Sequence, residues 1–348
     1  MVRVGIIGVS GYGGGELLRI LSGHPRVKIT YLTSETYKGR DIGIALPNML
    51  GVVELECETY SREMAVERCD VVFLARDKGW AMKESPYLLE KGLKVVDLSA
   101  DFRLKDPAVY EEWYKIPHES ADLLTEAVFG LPEIHRREIP DARLIANPGC
   151  YVTGGLLALA PLLSNKLIET DSIIVDSLSG VSGAGRSSYK LDYHFPELNE
   201  NMKAYNVGSH RHTPEIEQEL SGIAGAPVLI SFTPHLIPVT RGILTTAYAR
   251  FNDCCLSTER VLEIYREYYK SSRFVIVLDD GDLPVTKSVT GSNFCHIGAK
   301  VDTRTNRVIV ISAIDNLVKG MAGQAVQNLN LMSKFDEDTG LIRAGMWP

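Results

Sequence analysis

A chain of 348 residues, 45% apolar and 23% charged, has the length for two domains and enough apolar content to bury substantial cores. Its net charge of -7, with no lysine- or arginine-rich block, argues against a nucleic-acid partner. The longest apolar stretch, around Leu156–Leu163, is too short to span a bilayer, and the six cysteines (57, 69, 150, 254, 255 and 295) include no Cys-x-x-Cys pair to suggest zinc or a redox dithiol.

The first residues, Val2–Ile7, read as a core strand rather than as a leader. A helix pattern over Gly15–Leu21 follows, then strand patterns at Val27–Thr33, Asp70–Ala75 and Lys94–Leu98, with Ala127–Phe129 and Arg143–Ala146 as two more. Apolar strands separated by helices predict a parallel sheet with right-handed crossovers. Beyond residue 150 the pattern changes. Ser172–Leu178, Val228–Thr233, Gly242–Phe251, Phe274–Val277, Cys295–Val301 and Arg307–Ile314 read as longer β-branched strands, and Thr258–Lys270 as a helix among them. That predicts an α+β domain with a mixed, largely antiparallel sheet. The expected fold is therefore α/β: a dinucleotide-binding domain over residues 1–148, a catalytic and oligomerisation domain over 149–316, and a return of 317–348, including the helix Leu317–Met332, to the first domain. A soluble, reducing, cytoplasmic setting fits this composition.

Two turns carry most of the chemistry. The turn Gly8-Val9-Ser10-Gly11-Tyr12-Gly13-Gly14-Gly15 joins the first strand to the first helix, with glycines 8, 11 and 14 in a Gly-x-x-Gly-x-x-Gly pattern. Glycine is needed there for a tight turn and for a pyrophosphate to reach the backbone at a helix start. Gly8, Ser10, Gly11, Tyr12, Gly13 and Gly14 are the candidate cofactor contacts, with Ser34, Glu35 and Thr36 after the second strand. An acid there suits the ribose hydroxyls of NAD, and a serine beside Lys38 and Arg40 suits the extra phosphate of NADP; these residues leave both open. In Asn147-Pro148-Gly149-Cys150-Tyr151 a strand ends and a helix pattern begins, with Asn147 as expected cap and Gly149 open to close approach. A sulfur in the first turn of a helix faces unpaired N–H groups and the positive end of the dipole, which favours a thiolate nucleophile.

Three further motifs lie in the second domain. Ser179–Arg186 is a glycine- and serine-rich loop able to present N–H groups to an anion, with Ser182 and Arg186 in it. In Ser209–Ile216, His212 or Thr213 can cap a helix opened by Pro214, and His210 can act as acid or base. A His-x-His-x-x-Glu metal site is disfavoured because no further ligand cluster is nearby. Phe232–Gly242 carries two prolines and an Arg241 able to bind an acid. Asn316 is either the cap of the last helix or a group reaching a nicotinamide. A thiolate, a histidine and a nicotinamide together permit attack on an activated acyl carbon, a thioester, and its reduction to an aldehyde.

With Gly8–Gly14, Asp97–Arg103, Asn147–Tyr151, Ser179–Arg186, His210–Ile216, Pro234–Gly242 and Val318–Asn330 in this order, the chain resembles over its full length the N-acetyl-gamma-glutamyl-phosphate reductases, the arginine-biosynthesis branch of the semialdehyde dehydrogenase family. The resemblance implies NADP(H) as cofactor, an acyl-phosphate substrate, Cys150 as nucleophile, His210 as acid/base, no metal, no membrane, and a homo-tetramer or homo-dimer. Arg103, Ser182, Arg186, Tyr205, His212 and Arg241 are the expected substrate contacts and Asn316 a cofactor contact. The sequence departs from the family in two places: Ala75–Trp80 replaces a Pro-His-Gly turn, and Gly13 stands where threonine is common. Rival readings are a reductase of carrier-protein-linked aminoadipyl or glutamyl phosphate, an aspartate-semialdehyde dehydrogenase, and a non-catalytic nucleotide-binding regulator.

Overall fold

The computed structural model describes residues 1–252 and 256–347; Cys254 and Cys255 lie outside the described residues. The chain forms two compact units. The first comprises Met1–Pro148, Gly185–Ser187 and Met321–Ile342; the second comprises Gly149–Ala184, Ser188–Gly320 and the residues from Arg343.

In the first unit six strands form a wholly parallel sheet: β1 (Val2–Ile7), β2 (Val27–Thr33), β5 (Val71–Leu74), β6 (Lys94–Asp97), β7 (Val128–Phe129) and β8 (Leu144–Ala146). A small antiparallel ladder, β3 (Arg40–Asp41) with β4 (Glu56–Cys57), lies apart from it. The sheet order is β2-β1-β5-β6-β8-β7, so the strand order reverses between β1 and β5. In such sheets ligands bind at the carboxyl ends of the strands beside that reversal. All four residues of β5 are buried, as expected of a strand covered on both faces.

The second unit holds a seven-stranded mixed sheet of β9 (Ile173–Gly180), β10 (Lys203–Ala204), β11 (Ile230–Ile237), β12 (Ile243–Arg250), β13 (Val275–Val277), β14 (Cys295–Asp302) and β15 (Arg307–Ile314), in the order β10-β11-β9-β12-β15-β14-β13. Only β9–β11 and β13–β14 pair in parallel. The helix Cys150–Ser164 lies on one face of this sheet, where its Gly154 meets Thr245 and Ser312. This helix is buried almost all round. The helix Thr258–Tyr268 covers it further, and the Tyr265 and Tyr269 hydroxyls donate to the carbonyls of Ala158 and Leu157.

Three boundaries differ from the sequence reading, each for a packing reason. The first helix starts at Tyr12, not Gly15. Its glycines are poor helix formers, but close approach to β1 outweighs propensity. The second unit's first helix begins at Cys150, with Gly149 in the capping position. Asn147 does not cap it, because its side chain donates to the Met321 carbonyl and accepts from Asn328. The last helix is broken into a π-turn, Val318–Ala322, and an α-helix, Gly323–Met332. Single π-turns of this kind often mark functional sites.

Candidate active site

Consider first the turn after β1. Gly8 has φ +93, and a Cβ there would lie 2.4 Å from the Ala75 carbonyl oxygen. A Cβ on Gly14 would lie 2.4 Å from the Gly8 carbonyl oxygen and 2.8 Å from Val9 Cα. Both obstacles are backbone, so neither position admits a side chain. Gly11 caps the helix, and Gly15 N donates to its carbonyl. At Gly13 the nearest atom is Met321 Cε, the far end of a flexible side chain, so a larger residue would require only that Met321 move. These glycines leave a bare helix N-terminus at the end of β1, which fits a dinucleotide pyrophosphate. Tyr12 is exposed beside it.

At the end of β2 the buried Ser34 hydroxyl bonds the Ser10 hydroxyl at 2.8 Å and accepts from Tyr37 N. Glu35 is exposed and lies 3.7 Å from Arg76, so its carboxylate already has a cationic partner; Thr36 is exposed. Arg186 belongs here as well. It was expected at the substrate, but it lies in the first unit, where it donates to the carbonyls of Ser10 (3.1 Å) and Ala45 (2.9 Å) and sits over the Tyr37 ring. Nothing in the local sequence around Arg186 signals this contact with a turn 176 residues away.

The Asp97–Arg103 motif forms a polar hub at the end of β6. Asp97 accepts from Ser99 N and Ser99 Oγ. Burial, and then the nearby Asp101 charge, hold its carboxyl well above the ordinary range. Asp101 accepts from Gly79 N, Met82 N and the Tyr110 hydroxyl, and so fixes the departing turn after β5. Arg103, expected at the substrate, is buried, with Nε donating to the Asn147 carbonyl (2.7 Å) and Nη2 to that of Leu98 (2.9 Å). It therefore anchors the strand end that leads to Cys150.

In the second unit Cys150 is the first helical residue and is partly exposed. Two groups crowd its backbone. Gly149 N donates to the buried Glu215 carboxylate at 2.9 Å, and the His212 ring fills the space where a Gly149 Cβ would be, 2.5 Å away. On the other side, a Cβ at Gly320 would lie 2.9 Å from Cys150 Cβ and 3.3 Å from its Cα. Sequence reasoning missed Glu215 and Gly320. A glutamate after Pro214 looks like an ordinary first-turn acid, and one glycine in a helical run carries no local signal.

His210 is 9% exposed and boxed by rings: Tyr151, Tyr205, His212 and Phe232 all meet it edge-on, with centroids 4.8–5.5 Å away. Burial, and secondarily the Arg211 charge, push its pKa down to about 4. His212 N donates to His210 Nδ1 at 3.1 Å, so the neutral ring carries its proton on Nε2. The Tyr151 and Tyr205 hydroxyls bond each other at 2.9 Å. Burial raises both their pKa values. The structure thus brings together Cys150, His210, Tyr205 and His212 of the predicted set. Among the described residues no three of His, Cys, Asp and Glu converge as metal ligands.

Three other expected contacts are held by the scaffold. Asn316 accepts from Gly242 N and donates to Ser182 Oγ, both within 2.9 Å. It is not a helix cap: Asp315 accepts from Leu317 N and Val318 N. Arg241 lies 3.5 Å from that buried Asp315 and is one-quarter exposed.

Residues 3–142 match the family description "Semialdehyde dehydrogenase, NAD binding domain" and residues 150–316 match "Semialdehyde dehydrogenase, dimerisation domain". The chain is 53% identical to an N-acetyl-gamma-glutamyl-phosphate reductase of Pelotomaculum thermopropionicum, over 100% of this chain and 99% of that one. It is 51% identical to one of Desulforamulus reducens, over 100% of both. Its fold is that of aspartate semialdehyde dehydrogenase II from Vibrio cholerae, with a TM-score of 0.74 at 18% identity, covering 96% of this chain and 99% of that one.

Proposed function

The chain belongs to the semialdehyde dehydrogenase family, and from that premise we propose that it reduces N-acetyl-L-glutamyl 5-phosphate to N-acetyl-L-glutamate 5-semialdehyde and phosphate in arginine biosynthesis, through a thioester on Cys150. The observation that carries this reading is the start of the buried helix: a sulfur in its first turn, with a neutral histidine against the adjacent Tyr151. Full-length likeness to two reductases of that substrate supports the acyl group.

The Gly8–Gly14 turn, Ser10 and Ser34 hold NADP(H) in this reading, and Arg186 steadies the turn through the Ser10 carbonyl. The pairing of Glu35 with Arg76 removes the acid that would select NAD, which favours NADP. When bound, the reduced nicotinamide supplies hydride. The helix dipole favours an anionic Cys150, which attacks the acyl carbon and expels phosphate to leave a thioester. After reduction the tetrahedral oxyanion expels the Cys150 thiolate, and the aldehyde leaves. No net proton is needed in that collapse. His210, neutral with its proton on Nε2, donates a hydrogen bond to the oxyanion rather than deprotonating the thiol. Tyr205 bonds the Tyr151 hydroxyl and His212 packs on Gly149, so both flank the start of the Cys150 helix, and Arg103 holds the Asn147 carbonyl at the end of the preceding strand.

The chain works as a homo-oligomer in this proposal, built through the second unit, and in the cytoplasm, where a free thiol stays reduced. No described helix is long and apolar enough to cross a membrane. The test is NADP reduction with N-acetylglutamate semialdehyde and phosphate, compared with the carrier-linked and aspartate semialdehydes. Turnover confined to either of those would overturn the substrate assignment, and no turnover with any would favour the regulator reading.

A further inference from the structure

The turn Ala75–Trp80, where the chain departs from the family's Pro-His-Gly, leaves β5 beside β1, at the reversal of strand order. Its first side chains therefore stand at the crevice where a sheet of this kind binds its ligand. Arg76 is the one that touches the glycine turn: its Cδ lies 3.1 Å from the position a Gly8 Cβ would take. The guanidinium reaches on to the end of β2, where Nη1 lies 3.7 Å from the Glu35 carboxylate, and it sits over the Trp80 ring, 5.5 Å from the centroid.

The end of β2 is where a dinucleotide-binding sheet reads the adenosine ribose. An acid there accepts from the two ribose hydroxyls and repels a 2′-phosphate; a cation does the reverse. This chain holds one of each in contact. At 3.7 Å the pair is too long for a hydrogen bond, so Glu35 neutralises Arg76 without engaging its donors. The Glu35 side chain is 52% exposed and can turn to water, whereas the Arg76 stem is packed on Gly8. A phosphate, with about two negative charges and oxygens matched to the planar guanidinium fork, is the stronger partner. The neighbouring polar groups are already engaged: Ser34 with Ser10 and Tyr37 N, and Arg186 with the Ser10 and Ala45 carbonyls.

We propose that Arg76 selects NADP(H), its guanidinium taking the 2′-phosphate of the adenosine and Glu35 being the counter-ion that the phosphate displaces. This inference rests on the reading that the Gly8–Gly14 turn holds the dinucleotide, and it names the residue that sets the preference. Calorimetric titration of the full chain with NADP+ and NAD+, and with adenosine 2′,5′-bisphosphate against AMP, tests it without turnover. Methionine at 76 keeps an apolar stem against Gly8 and removes the charge. R76M is expected to weaken binding of NADP+ and of the bisphosphate about 10–100-fold and to leave AMP unchanged. It should bind NAD+ at least as tightly as the wild type does, because Glu35 is released to the ribose hydroxyls. R76K, a point charge without the fork, should lose less than R76M, and R76M/E35Q should recover part of the loss by removing the repelling acid. Equal weakening of bisphosphate and AMP in R76M would reduce Arg76 to a support of the turn and overturn the assignment. Unchanged discrimination in R76M, or its loss in K38M or R40M instead, would overturn it too and leave the NADP-dependent reading standing. A wild type that binds neither dinucleotide would sink that reading and this inference together.

Discussion

Gly320→Ala tests how tightly the site is built. The new methyl carbon would lie 2.9 Å from Cys150 Cβ and 3.3 Å from its Cα. Carbon atoms prefer roughly 3.5–4.0 Å, so something must move by about 0.6–1 Å. The obstacle is the Cβ and Cα of Cys150, fixed in the first turn of a buried helix, rather than a flexible chain end. Overpacking of this kind costs about 1–3 kcal/mol, and a displacement near 1 Å in a reacting group costs about 10²-fold in rate. Turnover should therefore fall by about two orders of magnitude, and the rate of Cys150 alkylation by iodoacetamide should change with it. Gly222→Ala is the control. Gly222 is exposed in the helix Thr213–Ala224 with nothing within 4 Å of its Cβ position, and should gain about 0.5–1 kcal/mol of stability with no change in rate. Wild-type turnover and wild-type alkylation in Gly320→Ala would refute the reasoning.

Other outcomes follow from the same geometry. Gly14→Ala drives a Cβ into backbone at 2.4 Å and should weaken NADP binding more than tenfold by titration calorimetry, while Cys150 alkylation is unchanged; normal affinity would exclude the turn as the phosphate site. Because His210 falls from 6.5 to about 4 on folding, the unfolded chain takes up its proton first as the solution is acidified. Its contribution, about 3 kcal/mol, is complete above pH 6.5 and lost as pH falls toward 4. His210→Asn, which keeps an acceptor for the His212 amide, should flatten that part of the pH–stability curve measured by denaturant unfolding, and an unaltered slope would show that His210 does not titrate as described. Peptide mapping after brief alkylation should show Cys150 labelled ahead of the buried Cys57, Cys69 and Cys295, since burial raises the first two thiols to about 11; equal labelling would contradict the placement of these sulfurs.

Features encoded by short-range pattern were legible in the sequence. The strands of the parallel sheet are nearly continuous apolar runs, and the glycine spacing after β1 reflects two close backbone approaches. Cys150 at a helix start was legible because a strand, a proline and an apolar run bracket it. What stayed hidden was set by partners distant in the chain. Asn147 has good capping chemistry, but Met321 and Asn328 claim its side chain. Arg186 follows a glycine-rich loop of the second unit, yet its partners are carbonyls at Ser10 and Ala45. Arg103 is an expected substrate contact, and what the sequence did not show is that it donates to two backbone carbonyls. Glu215 carries no local mark of its bond to Gly149 N. In each case a long polar side chain had several chemically equivalent uses, and only tertiary packing chose among them.

The central claim is a covalent acyl group on Cys150. Intact-mass and peptide analysis of the protein mixed with N-acetylglutamate semialdehyde and NADP, without phosphate, tests it most directly. The expected result is a burst of one NADPH per active chain with one N-acetylglutamyl group on Cys150, discharged when phosphate is added and absent from Cys150→Ala. NADPH formation with no acyl group on that sulfur, or undiminished in Cys150→Ala, would contradict it.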